Sequence, residues 1–152
     1  MTDPKPVIIV VAGAVLQNGK HGELPLTANF VYNPDDPMAV SMTLILDVEL
    51  PCGDMATTQN TWVYSRDLLD VALSRLDRVP VGAGDVTVTY LVRPDEVRIE
   101  LTDVQGDRHA LFVDAEPVYD FMEQSLRVIP AHKETVDVDA AIHQLLDGTW
   151  QS

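Results

Sequence analysis

Alternating apolar and polar positions predict that the chain is built mainly from β-strands. The clearest alternation runs through Val86, Val88 and Tyr90, and the same period of two recurs over residues 97–101 and 111–113. Such alternation is typical of half-buried strands. A Pro-Asp pair at 94–95 and a Gln-Gly-Asp sequence at 105–107 mark turns between them. We therefore expect a three-stranded antiparallel meander in the second half of the chain.

The first half predicts four more strands. Residues 7–16 are almost continuously apolar and rich in β-branched side chains, which favours a central or interface strand. Residues 26–33 and 38–48 form the next two strands, separated by a turn at 33–37 that is rich in Pro, Asn and Asp. We expect residues 49–60 to form a polar loop and residues 61–65 a short fourth strand.

Two helices and a possible third follow from apolar residues recurring every three or four positions. The first covers 66–76, with Ser65 as its N-cap and a charge-compatible Asp67 in its first turn. A second begins near Pro117 and ends at Pro130, and Asp137 begins a last helix that Gly148 ends. The predicted fold class is α+β, with a largely antiparallel sheet of about seven strands and two to three helices, in a single domain over residues 1–152.

The acidic composition of the chain bears on its function. The 152-residue chain has 24 Asp and Glu against 10 Lys and Arg, a net charge of −14, and no Lys or Arg lies between His21 and Ser65. Because nucleic-acid binding depends on cations that neutralise phosphates, we expect no nucleic-acid partner and no binding to an anionic membrane. The charge suits a basic protein partner, although simple solubility is the more ordinary explanation.

No catalytic, cofactor-binding or metal-ligating site can be assigned, so the prediction is a protein that is not an enzyme. Asp139, His143 and Asp147 are spaced for one helix face and could hold a divalent metal, as a metal-dependent hydrolase would require, or could form a solvated polar face. Cys52 is the only cysteine, which favours a reducing, cytoplasmic compartment. The apolar run 7–16 is too short to span a membrane, so we expect no direct membrane insertion.

The candidate partner surface comprises five residues. Asp35 and Asp36 lie in the 33–37 turn, and Arg66 and Asp67 lie where the first helix begins. A cation at a helix N-terminus is unfavourable, so Arg66 and Asp67 either form a structural ion pair that fixes the helix entry or belong to the partner surface. Trp150 either folds back or joins a contact surface.

One set of residues recurs in a specific order and spacing along most of the chain: Phe30, Tyr32, Asp36-Pro37, Ala39-Val40, Trp62, Tyr64, Arg66-Asp67-Leu68-Leu69, Gly82, Gly84-Asp85-Val86, Val88, Gly106, Ala110, Phe121, Pro130, Glu134, Asp139 and Leu145-Leu146. In this order and spacing the chain resembles the SsgA-like proteins, the sporulation and cell-division regulators of actinobacteria. The segment at 49–60 is longer than the family pattern, and the N-terminus is extended, as expected of a divergent member.

The resemblance implies a fold, an assembly and a role. The fold would be whirly-like and the assembly a bell-shaped homotrimer. Independently of the resemblance, the nearly continuous apolar character of residues 7–16 predicts that one face of this strand is buried against another subunit. The role would be that of an adaptor in cell division and sporulation. Such an adaptor positions or activates the septation machinery in the cytoplasm, at division septa, through contacts with FtsZ or another SsgA-like protein.

The alternative is a nucleic-acid-binding or transcriptional regulatory module on the same fold. In that case Trp62 and Tyr64 would stack on bases. Core or interface packing is the competing interpretation of the two rings.

Overall fold

The computed structural model describes residues 5–18, 22–82 and 84–130. Within these residues the chain forms seven strands and two helices. In chain order they are β1 (Ile8–Asn18), β2 (Gly22–Tyr32), β3 (Ala39–Glu49), β4 (Met55–Ser65), α1 (Arg66–Leu73), β5 (Val86–Leu91), β6 (Glu96–Thr102), β7 (Arg108–Asp114) and α2 (Ala115–Val128).

All seven strands form one antiparallel sheet in the order β4-β3-β2-β1-β7-β6-β5. The predicted α+β class and the predicted meander of β5, β6 and β7 are confirmed. The predicted central position of the apolar run 7–16 is also confirmed, because β1 joins the two halves of the sheet by pairing with β2 and β7. The third predicted helix, from Asp137 to Gly148, lies outside the described residues.

The sheet is curled, so its two edges approach each other. Helix α1 follows edge strand β4 and packs on the opposite edge strand β5. An eight-residue helix is only about 12 Å long, so it can contact both edges only where they are close. The same conclusion follows from a cavity lined both by Tyr64 of β4 and by Val86 of β5.

The core fills the concave face of the curled sheet, because alternate residues of each strand point inward. Helix α2 lies across this face, where Phe121 packs against Phe30 of β2 with ring centroids 5.6 Å apart. Other fully buried residues on this face include Tyr32, Val40, Met42, Val88, Val97, Ile99, Leu111 and Val113.

The predicted loop at 49–60 is wrong, because most of it belongs to the long strand β4. Strands β3 and β4 pair from Ala39↔Ser65 to Glu49↔Met55, with the reversal at residues 50–54. The segment is polar, but threonine is a favourable residue in strands. Threonine hydroxyls can also form hydrogen bonds to side chains of the neighbouring strand. The Thr57 hydroxyl donates to the Asp47 carboxylate at 2.8 Å.

Both helices begin and end close to the predicted residues, with one correction. The Ser65 hydroxyl accepts a hydrogen bond from the Asp67 backbone N–H at 3.1 Å, so the predicted N-cap is confirmed. Helix α1 ends at Leu73 rather than at residue 76, and Leu76 is exposed. The Ser74 hydroxyl donates to the Asp70 carbonyl at the point where the helix stops, and a bond of this kind slightly destabilises a helix.

Candidate partner-binding surface

The turn between β2 and β3 presents two carboxylates to solvent. The Asn33 side chain accepts a hydrogen bond from the Asp35 backbone N–H at 3.0 Å. The Asn33 carbonyl accepts one from the Asp36 N–H at 2.9 Å. These bonds are the turn chemistry expected of Asn before Pro and Asp. They hold the backbone while the side chains of Asp35 and Asp36 stay exposed.

Asp67 lies at the same end of the molecule. The Arg66 backbone N–H donates to the Met38 carbonyl at 2.8 Å, and Ser65 pairs with Ala39 in the sheet. The start of α1 is therefore joined directly to the residues that follow the acidic turn. Asp35, Asp36 and Asp67, all exposed, together form what we call the acidic end.

Arg66 is not part of that exposed surface, because only 1% of it is exposed. Its guanidinium donates to the Ser125 carbonyl at 2.9 Å and lies 4.6 Å from the centre of the Tyr32 ring. Ser125 lies in the last turn of α2, where the helix dipole favours a cation. Burial therefore removes Arg66 from the exposed surface, and its hydrogen bond and ring contact favour a structural role over a place on the partner surface.

Tyr32 and Arg66 together tie the acidic end to the core. Tyr32 is buried, and its hydroxyl donates to the Pro37 carbonyl at 3.0 Å. This hydrogen bond connects the acidic turn to the core. The same ring contacts Arg66, which in turn contacts α2. The exposed carboxylates thus sit on a backbone that several buried contacts hold in place.

Trp62 and Tyr64, the two candidates for base stacking, face the concave side of the sheet. Tyr64 is buried, its hydroxyl donates to the Met42 sulfur at 3.5 Å, and burial raises the pKa of its phenol. Trp62 is half-buried and packs against the core. Core packing, one of the two interpretations offered, is therefore confirmed for Tyr64.

The chemistry expected of an active site is sparse in the described part of the chain. No group of three His, Cys, Asp or Glu residues within it could hold a metal ion. A single His109–Asp103 pair, 2.9 Å between ring nitrogen and carboxylate, lies beside an apolar cavity of about 230 Å³. Cys52 is exposed in the β3–β4 turn. The candidate metal residues Asp139, His143 and Asp147, and the candidate contact residue Trp150, lie outside the described residues.

The convex face of the sheet exposes apolar side chains on the central strand β1 and on the edge strand β4. Ile9 and Val11 of β1 are each 61% exposed, as is Val63 of β4. A row across the sheet runs Ile9, Val31, Ser41, Val63 in register. Exposed apolar surface of this kind is typical of interaction sites. Burial of this face against another subunit stays a prediction.

No helix of the described residues is long and apolar enough to cross a membrane.

A second acidic surface was missed at the sequence level. Glu116, Asp120 and Glu123 lie on one side of α2 and border a cavity beside β1, together with Asp95 and Asp114. The spacing of four and three residues along a predicted helix was the available signal. Its relation to β1 could not be read from the helix alone, because the contact joins residues about a hundred positions apart.

Comparisons with known proteins match this chain to one protein family and to solved structures of similar fold. The model of the family described as "Streptomyces sporulation and cell division protein, SsgA" matches residues 26–134. The structure of an SsgA-like sporulation-specific cell division protein from Thermobifida fusca has a TM-score of 0.69 at 25% identity, covering 95% of this chain and 98% of that chain.

A structure of SsgB from Streptomyces coelicolor has a TM-score of 0.66 at 24% identity, covering 88% of this chain and 97% of that chain. It was solved in work that correlates SsgB mutations with longitudinal cell division during sporulation, and at this identity the likeness concerns the fold alone. A search of curated proteins gives no significant match.

Proposed function

Because the chain belongs to the SsgA family of sporulation and cell division proteins, we propose that it is a non-enzymatic adaptor of septation. It positions or activates division proteins in the cytoplasm, at the division septum, through protein–protein contacts. Its partners are FtsZ, another SsgA-like protein, or both. The acidic end is the docking surface.

One observation supports this role above the others: the acidic end is both exposed and rigidly supported. Asp35, Asp36 and Asp67 reach solvent, while Tyr32 and Arg66 hold the backbone beneath them. A preorganised surface loses little conformational freedom on binding. Exposed carboxylates on such a surface favour a partner that presents Lys or Arg.

Electrostatics adds a kinetic consequence. The continuous stretch from residue 22 to 64 contains six Asp and Glu and no Lys or Arg. Complementary charges accelerate encounter more than they tighten the final complex. Because exposed charges are screened by salt, association with a basic partner slows as ionic strength rises.

Self-association accompanies this role. The convex face around Ile9 and Val11 is the apolar surface that another subunit would cover, and a bell-shaped trimer on a whirly-like fold is the assembly we propose. Three copies would present three acidic ends, so even weak single contacts would gain strength through multivalency.

The docking test compares two double variants with the same change in charge. Asp35→Lys/Asp36→Lys alters the acidic end, whereas Glu49→Lys/Asp54→Lys alters the tip of the β3–β4 hairpin. A tagged copy expressed in an actinobacterial host captures the partner, and binding of the purified partner is followed by biolayer interferometry. We expect the first variant to lower the association rate and the second to leave it close to that of the parent protein.

Either of two results would contradict the docking assignment. Equal slowing in both variants would mean that net charge alone acts, and unchanged kinetics in the first would remove the acidic end from the interface. Thermal unfolding of both variants controls for stability, which we expect to change little because the substituted side chains are exposed.

The assembly test uses light scattering at micromolar concentration. We expect a mass of about three chains for the parent protein, and dissociation for Ile9→Lys, which places a charge on the convex face. Val104→Lys, in the fully exposed β6–β7 turn, is the matched control and should keep the parent mass. A parent protein that is a clean monomer would refute the trimer.

A further inference from the structure

Strand β1 is paired on both sides along only part of its length. Its whole length pairs with β2, but pairing with β7 covers only the segment from Ala14↔Val113 to Gln17↔Ala110. Strand β7 ends at Asp114, and the chain turns into α2 at Ala115. Residues 8–13 of β1 therefore have an edge that faces no other strand among the described residues.

A groove of about 710 Å³ lies along that edge. It is lined by both Val10 and Val11. Neighbouring residues of a strand point to opposite faces, so a groove that contacts both must lie at the strand edge and not over one face.

The other wall of the groove is strongly acidic. Five exposed carboxylates line it, and no Lys, Arg or His does: Asp95, Asp114, Glu116, Asp120 and Glu123. Glu123 pairs with Arg127 one turn further along α2, and the Asp95 carboxylate accepts a hydrogen bond from the Tyr90 hydroxyl at 2.6 Å. Even with Arg127 counted, negative charge dominates the wall.

An open strand edge and a charged wall together select one class of occupant. Alternate residues of an antiparallel strand direct both N–H and C=O to the same side, so about three of the six residues 8–13 offer both groups to the groove. Unpaired strand edges bind extended peptides by adding a strand. We propose that a basic, extended segment of a partner protein binds here as an additional strand beside β1, with Lys or Arg at alternate positions facing the carboxylates of α2.

A second copy of the chain is a poorer occupant. No two Lys or Arg residues in the sequence are two positions apart, which is the spacing that places both on one side of a strand. The groove also shares no residue with the acidic end, whose carboxylates are those of Asp35, Asp36 and Asp67. The inference therefore goes beyond the proposed docking surface and does not depend on the division role.

Synthetic peptides test both parts of the proposal on the full-length protein. The probe is an eight-residue peptide that alternates Lys and Val, with binding followed by calorimetry and by the amide spectrum of nitrogen-15-labelled protein. The first comparison peptide carries N-methyl groups on alternate backbone nitrogens and keeps the charge. The second replaces Lys by Glu.

We expect the Lys–Val peptide to bind and to shift the amide signals of residues 8–13. N-methylation should weaken binding about tenfold or more, because two or more backbone hydrogen bonds are lost. The Glu–Val peptide should not bind. Asp120→Asn/Glu123→Gln should weaken binding about fivefold at low salt, whereas Asp35→Asn/Asp36→Asn, with the same change in charge, should leave it unchanged.

Several results would overturn the proposal. Equal binding of the N-methylated peptide would exclude strand addition, and equal weakening by both double variants would reduce the effect to general charge attraction. Absence of binding by the Lys–Val peptide at millimolar concentration would refute it directly. Peptide binding by the dissociated Ile9→Lys variant but not by the assembled parent protein would make the groove a contact between copies instead.

Discussion

Replacing Arg66 tests the contact that supports the acidic end. The side chain is buried, donates a hydrogen bond to the Ser125 carbonyl at 2.9 Å and lies over the Tyr32 ring. A hydrogen bond involving a charged group contributes about 1.5–3 kcal/mol, and a desolvated cation–π contact about 2 kcal/mol. With the lost packing of the aliphatic stem, Arg66→Ala should lower the free energy of unfolding by roughly 3–5 kcal/mol.

Urea and thermal unfolding of three variants measure this effect. For a chain of this length, roughly 3–5 kcal/mol corresponds to a fall in Tm of roughly 6–20 °C. Arg66→Met restores most of the volume without the charge, so its smaller loss separates packing from polar contacts. Arg75→Ala is the control, because Arg75 is an exposed arginine whose carboxylate partner, Asp77, is also exposed, and it should unfold close to the parent protein.

A small effect would refute the structural role of Arg66. If Arg66→Ala lowers the free energy of unfolding by less than about 1 kcal/mol, the buried contacts do not hold α1 against α2. If the variant is destabilised but binds the captured partner with unchanged kinetics below its Tm, Arg66 does not support the acidic end. Loss of both stability and binding is the expected outcome.

Three further predictions follow. Gly82→Ala should destabilise the protein more than Gly106→Ala. Both glycines have positive φ, but only at Gly82 would a Cβ lie 2.8 Å from the backbone oxygen of Val86; urea unfolding measures the difference. Hydrogen bonding to Arg75 lowers the pKa of Asp77 to about 2, so its stabilising contribution is complete above about pH 4 and disappears as the pH falls towards 2. In an NMR titration, Arg75→Gln should raise that pKa. Single- and double-stranded DNA and RNA should show no gel shift at physiological salt, since the net charge is −14; saturable submicromolar binding would contradict this.

Local chemistry was enough to predict much of the fold. The alternation in β5, β6 and β7 and the Ser65 cap depend on neighbours a few residues away, so the sequence contains the whole signal. The two ends of α2 can also be predicted from neighbouring residues. One Pro is tolerated near the start of the helix, and another follows its end. The structure contains all of these elements, with ends that differ from the predicted ones by up to three residues.

The extent of β4 and the position of Arg66 depend on distant residues, and both were harder to predict. The polar segment from residue 55 to 60 becomes a strand because β3 supplies partners such as Asp47 for Thr57. Arg66 is buried because the end of α2, about sixty residues later, supplies a carbonyl for it. A cation at a helix N-terminus signalled that some partner exists, but not whether that partner was inside the protein or outside it.

The open edge of β1 also depends on distant residues and was therefore hard to predict. It is also the part of the sheet to which we assign peptide binding. The apolar run at 7–16 predicts a central or interface strand, and its second half is central, since Ala14 to Gln17 pair with β7. The first half keeps the same apolar character although β7 has already ended. An unpaired apolar edge is normally protected by charge on the strand itself, yet the described residues place the charge across the groove, on α2. Charge in that position does not block a strand from adding; it selects which strand can add, because an acidic segment is repelled and a basic one is attracted.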